Sequence, residues 1–121
     1  MTDRGGDGKV NPSKKFMEMQ DSEIEVEEGR PYERDIETIF GRKIALGLIA
    51  LNWKFKETAL KIIYKQAEKY LIKDTDSSMS LNDFIKACTI AIDLTSKEKV
   101  IKVLNLSLQL LNLMITSAKL E

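Results

Sequence analysis

The stretch Trp53-Lys54-Phe55-Lys56-Glu57-Thr58-Ala59-Leu60 stands between two apolar helical patterns and decides how the chain turns. Before it, apolar residues from Ile36 to Leu51 recur at spacings of three and four, which predicts a helix. After it, Thr58 to Ile72 repeats that pattern, which predicts a second helix after a tight turn. A tryptophan flanked by lysines at such a turn is expected to be exposed and to make contact with a partner.

A third helix is predicted from the apolar residues between Leu81 and Ile92. Ser80 is expected to cap its first turn, and Met79 to pack on Phe84 as a hydrophobic staple. The helix is expected to end near Thr95-Ser96, where either hydroxyl can cap the helix that follows.

The fourth predicted helix, Val100 to Ile115, is apolar except for one narrow polar stripe. The stripe consists of Lys102, Asn105, Gln109, Asn112, Thr116 and Lys119. A helix of this composition is expected to be buried on most sides. We therefore expect that the chain is a fragment of a longer array, or that it pairs with another copy through this helix, with Leu104, Leu108 and Leu111 at the contact.

Together these patterns predict an all-α fold of tandem antiparallel helical hairpins, a HEAT-like α-solenoid fragment of about four helices. Residues 32–121 are expected to form two such repeats. Residues 1–31 contain four of the six glycines and both prolines, so we expect a flexible leader there. The alternative is that the apolar residues of this leader dock on the folded part. These residues are Phe16, Met17, Met19, Ile24 and Val26.

Catalytic and metal-binding groups are scarce. Histidine is absent and Cys88 is the single cysteine, which excludes Ser/His and Cys/His catalysis and a disulfide framework. Asp74, Asp76 and Asp83 loosely resemble a calcium loop, but its central glycine and terminal glutamate are missing. We expect no enzymatic activity, no metal and no cofactor.

Charge is balanced overall, with 19 basic and 19 acidic residues, but it is unevenly distributed. Residues 33–73 hold nine basic and five acidic side chains, whereas residues 1–32 hold five and eight. The basic middle favours an acidic protein surface as partner. Four arginines are a poor basis for binding nucleic acid, and the apolar runs are too short to span a membrane. We expect a soluble protein of the cytoplasm.

The stretch that begins at Trp53 resembles the first intra-repeat turn of TOG domains, whose pattern is roughly Trp-Lys-x-Arg-x-x-Ala-Leu. Lys56 stands where that pattern usually has arginine. Residues 93–100 look like the second TOG turn, and the likeness extends over residues 33–118. Within the family, the sequence is most similar to the TOG domain found at centrosomes and ciliary tips, through Phe40-Gly41 and Asn52-Trp53-Lys54.

TOG domains consist of HEAT repeats and bind the αβ-tubulin dimer through a row of turns along one edge. The resemblance implies that this chain holds the first two repeats of such a domain. It also implies a tubulin-binding, microtubule-associated module of the cytoskeleton, at cilium or centrosome. The implied contact residues are Trp53, Lys54, Lys56, Lys97 and Lys99.

Several alternatives stay open at this point. Trp53 can instead fold back over the end of the hairpin, and Lys56 can pair with neighbouring acids. The whole chain can also be a HEAT-like scaffold for another protein, or a helical adaptor that oligomerises through its fourth helix. Neither of these last two alternatives has affinity for tubulin.

Overall fold

The computed structural model of the chain describes residues 12–72 and 81–118, and the fold within these ranges is all-α. Its helices are α1 (Pro12–Glu18), α2 (Arg34–Phe40), α3 (Arg42–Leu48), α4 (Trp53–Ile72), α5 (Leu81–Thr95) and α6 (Ile101–Ala118), with a short 3-10 turn at Asp21–Glu23. The described residues contain no sheet, only an isolated antiparallel bridge between Val26 and Ala50. The predicted all-α class is confirmed.

The helix predicted from Ile36 to Leu51 is divided into α2 and α3 at Gly41. The φ angle of Gly41 is +100°, a backbone conformation that favours glycine because other residues clash there. Its N–H donates to the Glu37 carbonyl at 2.8 Å, which closes the last turn of α2. Leu51, expected on the apolar stripe, lies beyond the end of α3 and is exposed.

Helix α4 begins at Trp53, five residues earlier than predicted. Asn52 explains the early start, because its side-chain oxygen accepts a hydrogen bond from the Lys54 N–H at 3.0 Å. Ala59, Leu60 and Ile63 are fully buried along the inner face of this helix.

Helices α5 and α6 lie close to the predicted positions. The hydroxyls expected to cap α6 instead donate backwards into α5, Thr95 to the Ala91 carbonyl at 2.8 Å and Ser96 to the Asp93 carbonyl at 3.3 Å. They therefore close the C-terminal turn of α5. The predicted Ser80 cap and Met79 staple lie outside the described residues.

The core forms where the helices contact one another. Helix α6 lies against α4 and α5, α2 lies against α3 and α5, and α3 lies against α4. Phe84 of α5 contacts two other helices, with its ring centroid 5.5 Å from that of Phe40 in α2 and 4.5 Å from that of Tyr70 in α4.

Residues 12–31, which we call the N-terminal segment, pack on the helices, although residues 1–31 were expected to form a flexible leader. Phe16 and Ile24 are buried in the core. Phe16 fits directly over Gly47, where an added Cβ would lie 2.7 Å from the Phe16 ring. Backbone hydrogen bonds also hold the N-terminal segment on the helices, since the Glu27 N–H donates to the Ile49 carbonyl at 2.8 Å. A few large apolar side chains thus order a segment of otherwise polar composition.

Phe16→Ala is expected to lower the free energy of unfolding by about 3 kcal/mol, because it removes a buried aromatic ring and leaves a cavity over Gly47. Met17→Ala, at the exposed neighbouring position, is the matched control and is expected to change it by less than about 0.5 kcal/mol. Urea unfolding followed by circular dichroism measures both. Equal stabilities of the two variants would contradict the packing of the N-terminal segment.

Candidate functional site

The two turns singled out in the sequence lie side by side. The first joins α3 to α4 at residues 49–52, and the second joins α5 to α6 at residues 96–100. Glu98 of the second turn pairs with Lys56 in the first turn of α4, and Lys102 lies over the ring of Trp53 with 5.8 Å between its Nζ and the ring centroid. The structure therefore brings the two turns together at one edge of the molecule.

Lys56 occupies the interior of this edge and is only 1% exposed. Its ammonium group lies 2.9 Å from a Glu98 carboxylate oxygen and 3.1 Å from a Glu27 carboxylate oxygen. Lys56 is therefore not a surface contact residue, and the alternative of pairing with neighbouring acids describes its position. The reason is its register, because Lys56 lies three, four and seven residues before the buried Ala59, Leu60 and Ile63.

Arg30 completes the network around Lys56. Its Nε lies 3.0 Å from Glu27 and its Nη2 lies 3.3 Å from Glu98, while its Nη1 donates to the Leu94 carbonyl at 3.3 Å. We call Glu27, Arg30, Lys56 and Glu98 the ionic network. It connects the N-terminal segment, α4 and the turn before α6. Two cations and two carboxylates balance one another in it, as partly buried charges require.

Trp53 is half-buried and packs against the core, so it is less exposed than a tight turn led us to expect. Its ring is covered on one side by the Lys102 ammonium group, a cation–π contact. The alternative in which Trp53 folds back over the hairpin end describes this arrangement better than a free anchor does. Part of the Trp53 side chain stays accessible, next to the exposed Lys54 in the sequence.

Lys54, Lys97 and Lys99 are exposed, as is Lys102, which was expected on the polar stripe of the fourth helix but not among the contact residues. We call these four lysines and the accessible part of Trp53 the basic edge. Among residues 12–72 and 81–118, none of the ion pairs involves any of the four lysines. Their charges are thus available to a partner. The signal for Lys102 in the sequence was its place one residue into α6, close to the second turn.

Reactive chemistry is sparse in the part of the chain that the structure describes. It holds no group of three or more side chains suited to binding a metal ion, and Asp74 and Asp76 lie outside the described ranges. No described helix is both long and apolar enough to cross a membrane. Cys88 is buried in the core, and burial raises the pKa of its thiol from the ordinary 9.0 to about 12.

Replacing Lys56 with alanine is expected to cost about 3 kcal/mol of stability, because Glu27 and Glu98 would keep their partly buried charges without this partner. Lys54→Ala, two residues away and exposed, is expected to cost less than about 0.5 kcal/mol. Denaturant unfolding of the two variants beside the unchanged chain gives both values. If the Lys56→Ala variant is as stable as the Lys54→Ala variant, the result contradicts a structural role for the ionic network.

Cys88 is expected to react with a thiol reagent such as DTNB at least about 100-fold more slowly in the native protein than in urea, because the neutral, buried thiol is reached only by unfolding. Because the pKa is raised only in the folded state, the thiol does not affect the free energy of unfolding below pH 9.0, and that free energy falls as the pH rises from 9.0 towards about 12. Rapid labelling under native conditions at pH 8 would show that the thiol is accessible.

Comparison with known proteins identifies no relative: no protein-family model, no curated protein and no solved structure matches this chain. Residues 12–72 and 81–118 form a small all-helical domain.

Proposed function

We propose that this chain is a microtubule-associated module, part of a TOG domain, that binds αβ-tubulin through the basic edge. The observation that carries the proposal is that the two candidate turns lie side by side, with Lys102 over the Trp53 ring and with Lys54, Lys97 and Lys99 exposed on or next to the turns. Binding through adjacent turns is what the resemblance to TOG domains implies.

The helix contacts support a HEAT-like arrangement. The turns from α3 to α4 and from α5 to α6 are short, as in antiparallel helix pairs. The second helices of the two pairs, α4 and α6, contact each other, and α2, which directly precedes α3, contacts α5, the first helix of the second pair. Two stacked hairpins have this pattern of contacts, since each repeat contacts its neighbour layer by layer.

The charges of the basic edge favour an acidic protein surface, such as that of tubulin. Exposed lysines speed the encounter with an oppositely charged partner and orient it, whereas the accessible part of an aromatic ring supplies contact area that becomes dry on binding. In this proposal Lys97, Lys99 and Lys54 touch the partner. Lys56 holds the two turns together from inside through its contact with Glu98.

Affinity is expected to be modest, with a Kd on the order of 10–100 µM, because two turns offer a small contact area. It is also expected to fall as salt is raised from about 50 to 300 mM, since exposed charges are screened at higher ionic strength. The measurement is thermophoresis of the labelled chain with unpolymerised αβ-tubulin at each salt concentration.

The double variant Lys97→Glu/Lys99→Glu is expected to weaken tubulin binding at least tenfold by reversing two charges of the basic edge. Lys65→Glu/Lys69→Glu is the matched control, because it makes the same charge change at exposed positions of α4 away from the turns. Circular dichroism establishes that both variants are folded. If both double variants lose the same tubulin affinity, the effect comes from net charge and not from the basic edge. If the unchanged chain does not bind tubulin, tubulin is rejected as the partner.

A HEAT-like scaffold that uses the same edge for another acidic protein is the second candidate. The ionic network and the basic edge favour it equally, because neither contains a feature that selects tubulin. Competition with a generic polyanion such as heparin, added to the salt series, distinguishes the two candidates. If the chain is a scaffold without tubulin specificity, excess heparin abolishes its binding to tubulin.

A further inference from the structure

Helix α6 has an exposed apolar stripe on the side away from the core. Ile101 is 65% exposed, Leu108 50% and Ile115 49%, while Leu111 is also exposed and Leu104 is half-buried. We call these five residues the α6 stripe. The helix was expected to be buried on most sides, but only the face carrying Val103, Ser107, Leu110 and Leu113 is buried.

The α6 stripe has the spacing of a coiled-coil seam. Its members follow one another at intervals of three, four, three and four residues, so they form a nearly straight line along the helix. A seam of this kind packs against another helix that carries the same spacing.

The neighbouring helix α5 widens the apolar face. The Ser107 hydroxyl of α6 donates to the Ile92 carbonyl at 3.4 Å, which places Ile92 next to α6. Ile85 lies two turns earlier on the same side of α5 and is also exposed. The apolar surface therefore spans both helices.

Charge decides what kind of partner fits this face. From residue 103 to residue 118 the sequence contains no charged residue, so the exposed residues of α6 beside the stripe are neutral except for Lys102 at its first turn. They include Asn105, Gln109 and Asn112. A second copy of the chain presents the same neutral face, so the two faces can meet without charge repulsion. Antiparallel pairing also puts the two copies of Lys102 at opposite ends.

The order of side chains along the stripe, Ile-Leu-Leu-Leu-Ile, is the same in both directions. An antiparallel partner therefore meets side chains of matching type along the whole stripe, in a two-fold symmetric contact between identical surfaces. A parallel pair in register would also match like with like, but it would place the two Lys102 ammonium groups side by side.

The available area fits a reversible dimer. Two helices lying about 10 Å apart and some 25 Å long give a face of on the order of 500 Å² in each copy. Two copies then bury about 1,000 Å², which is near the lower limit for a specific protein interface. The α6 stripe alone would fall short of that limit, so the contribution of α5 through Ile85 matters.

We propose that two copies of this chain associate through the α6 stripe, with α6 antiparallel to α6 of the partner copy and α5 at the border of the contact. The association is reversible and depends on concentration. It uses a surface separate from the basic edge and does not depend on tubulin binding.

The test is sedimentation velocity of the full chain at about 5 µM to 1 mM, a range that brackets weak association. The unchanged chain is expected to shift from monomer to dimer, and Leu108→Glu to stay monomeric throughout. Gln109→Glu introduces the same charge one residue away on the polar side of α6 and is expected to dimerise within about threefold of the unchanged chain. Circular dichroism verifies that both variants are folded.

A chain that remains monomeric at 1 mM overturns the proposal. A dimer that Leu108→Glu leaves intact also overturns it, because another surface would then form the contact. Continued growth beyond dimer would mean an open, head-to-tail contact. If the chain alone stays monomeric but binds a separate helical segment that is added, that segment and not a second copy occupies the α6 stripe, and the proposal is overturned.

Orientation is tested with a short bis-maleimide on Ile101→Cys and Ile115→Cys variants, in the Cys88→Ala background. An antiparallel pair crosslinks when the two variants are mixed and far less when either is used alone. Efficient crosslinking of each variant with itself would overturn the antiparallel arrangement.

Discussion

Burying the ammonium group of Lys56 costs several kcal/mol in lost hydration unless carboxylates surround it, and the two that do so come from distant parts of the sequence. Glu27 belongs to the N-terminal segment and Glu98 to the turn before α6. Their positions are therefore fixed relative to α4, and Arg30 contacts both of them. The placement of the basic edge follows from this one interior cation, because the same turn that supplies Glu98 also carries Lys97 and Lys99.

Much of the helical structure was predictable, because long periodic segments such as α5 and α6 have strong local signals. The break at Gly41 and the start of α4 after Asn52 each depend on one residue, which a periodic pattern of apolar residues does not register. The burial of Lys56 had a signal too, since it shares the helical face of Ala59, Leu60 and Ile63. Its partners could not be found from the sequence, because residues 27 and 98 are brought to it only by the assembled fold.

The order in the N-terminal segment shows where composition alone is an incomplete guide. Glycine, proline and acidic residues made residues 1–31 resemble a linker, yet Phe16 needs just one complementary site, and Gly47 provides it by lacking a side chain.

The two surfaces proposed for binding, the basic edge and the α6 stripe, differ in chemistry. The basic edge acts through charges that salt screens, whereas the α6 stripe acts through apolar area and is little affected by moderate salt. Each can therefore be altered without the other.

The ionic network also bears on the order in which the molecule folds. Lys56 and Glu98 are 42 residues apart, and Arg30 reaches Leu94 and Glu98 across 64 and 68 residues. Contacts of such long range form only after the chain between them has become compact, because closing long loops costs entropy before any interaction is gained. During synthesis the N-terminal segment leaves the ribosome first, yet Arg30 acquires Leu94 and Glu98 only after the second turn has been made. Until residue 98 has emerged, Lys56 has only one of its two carboxylate partners, Glu27.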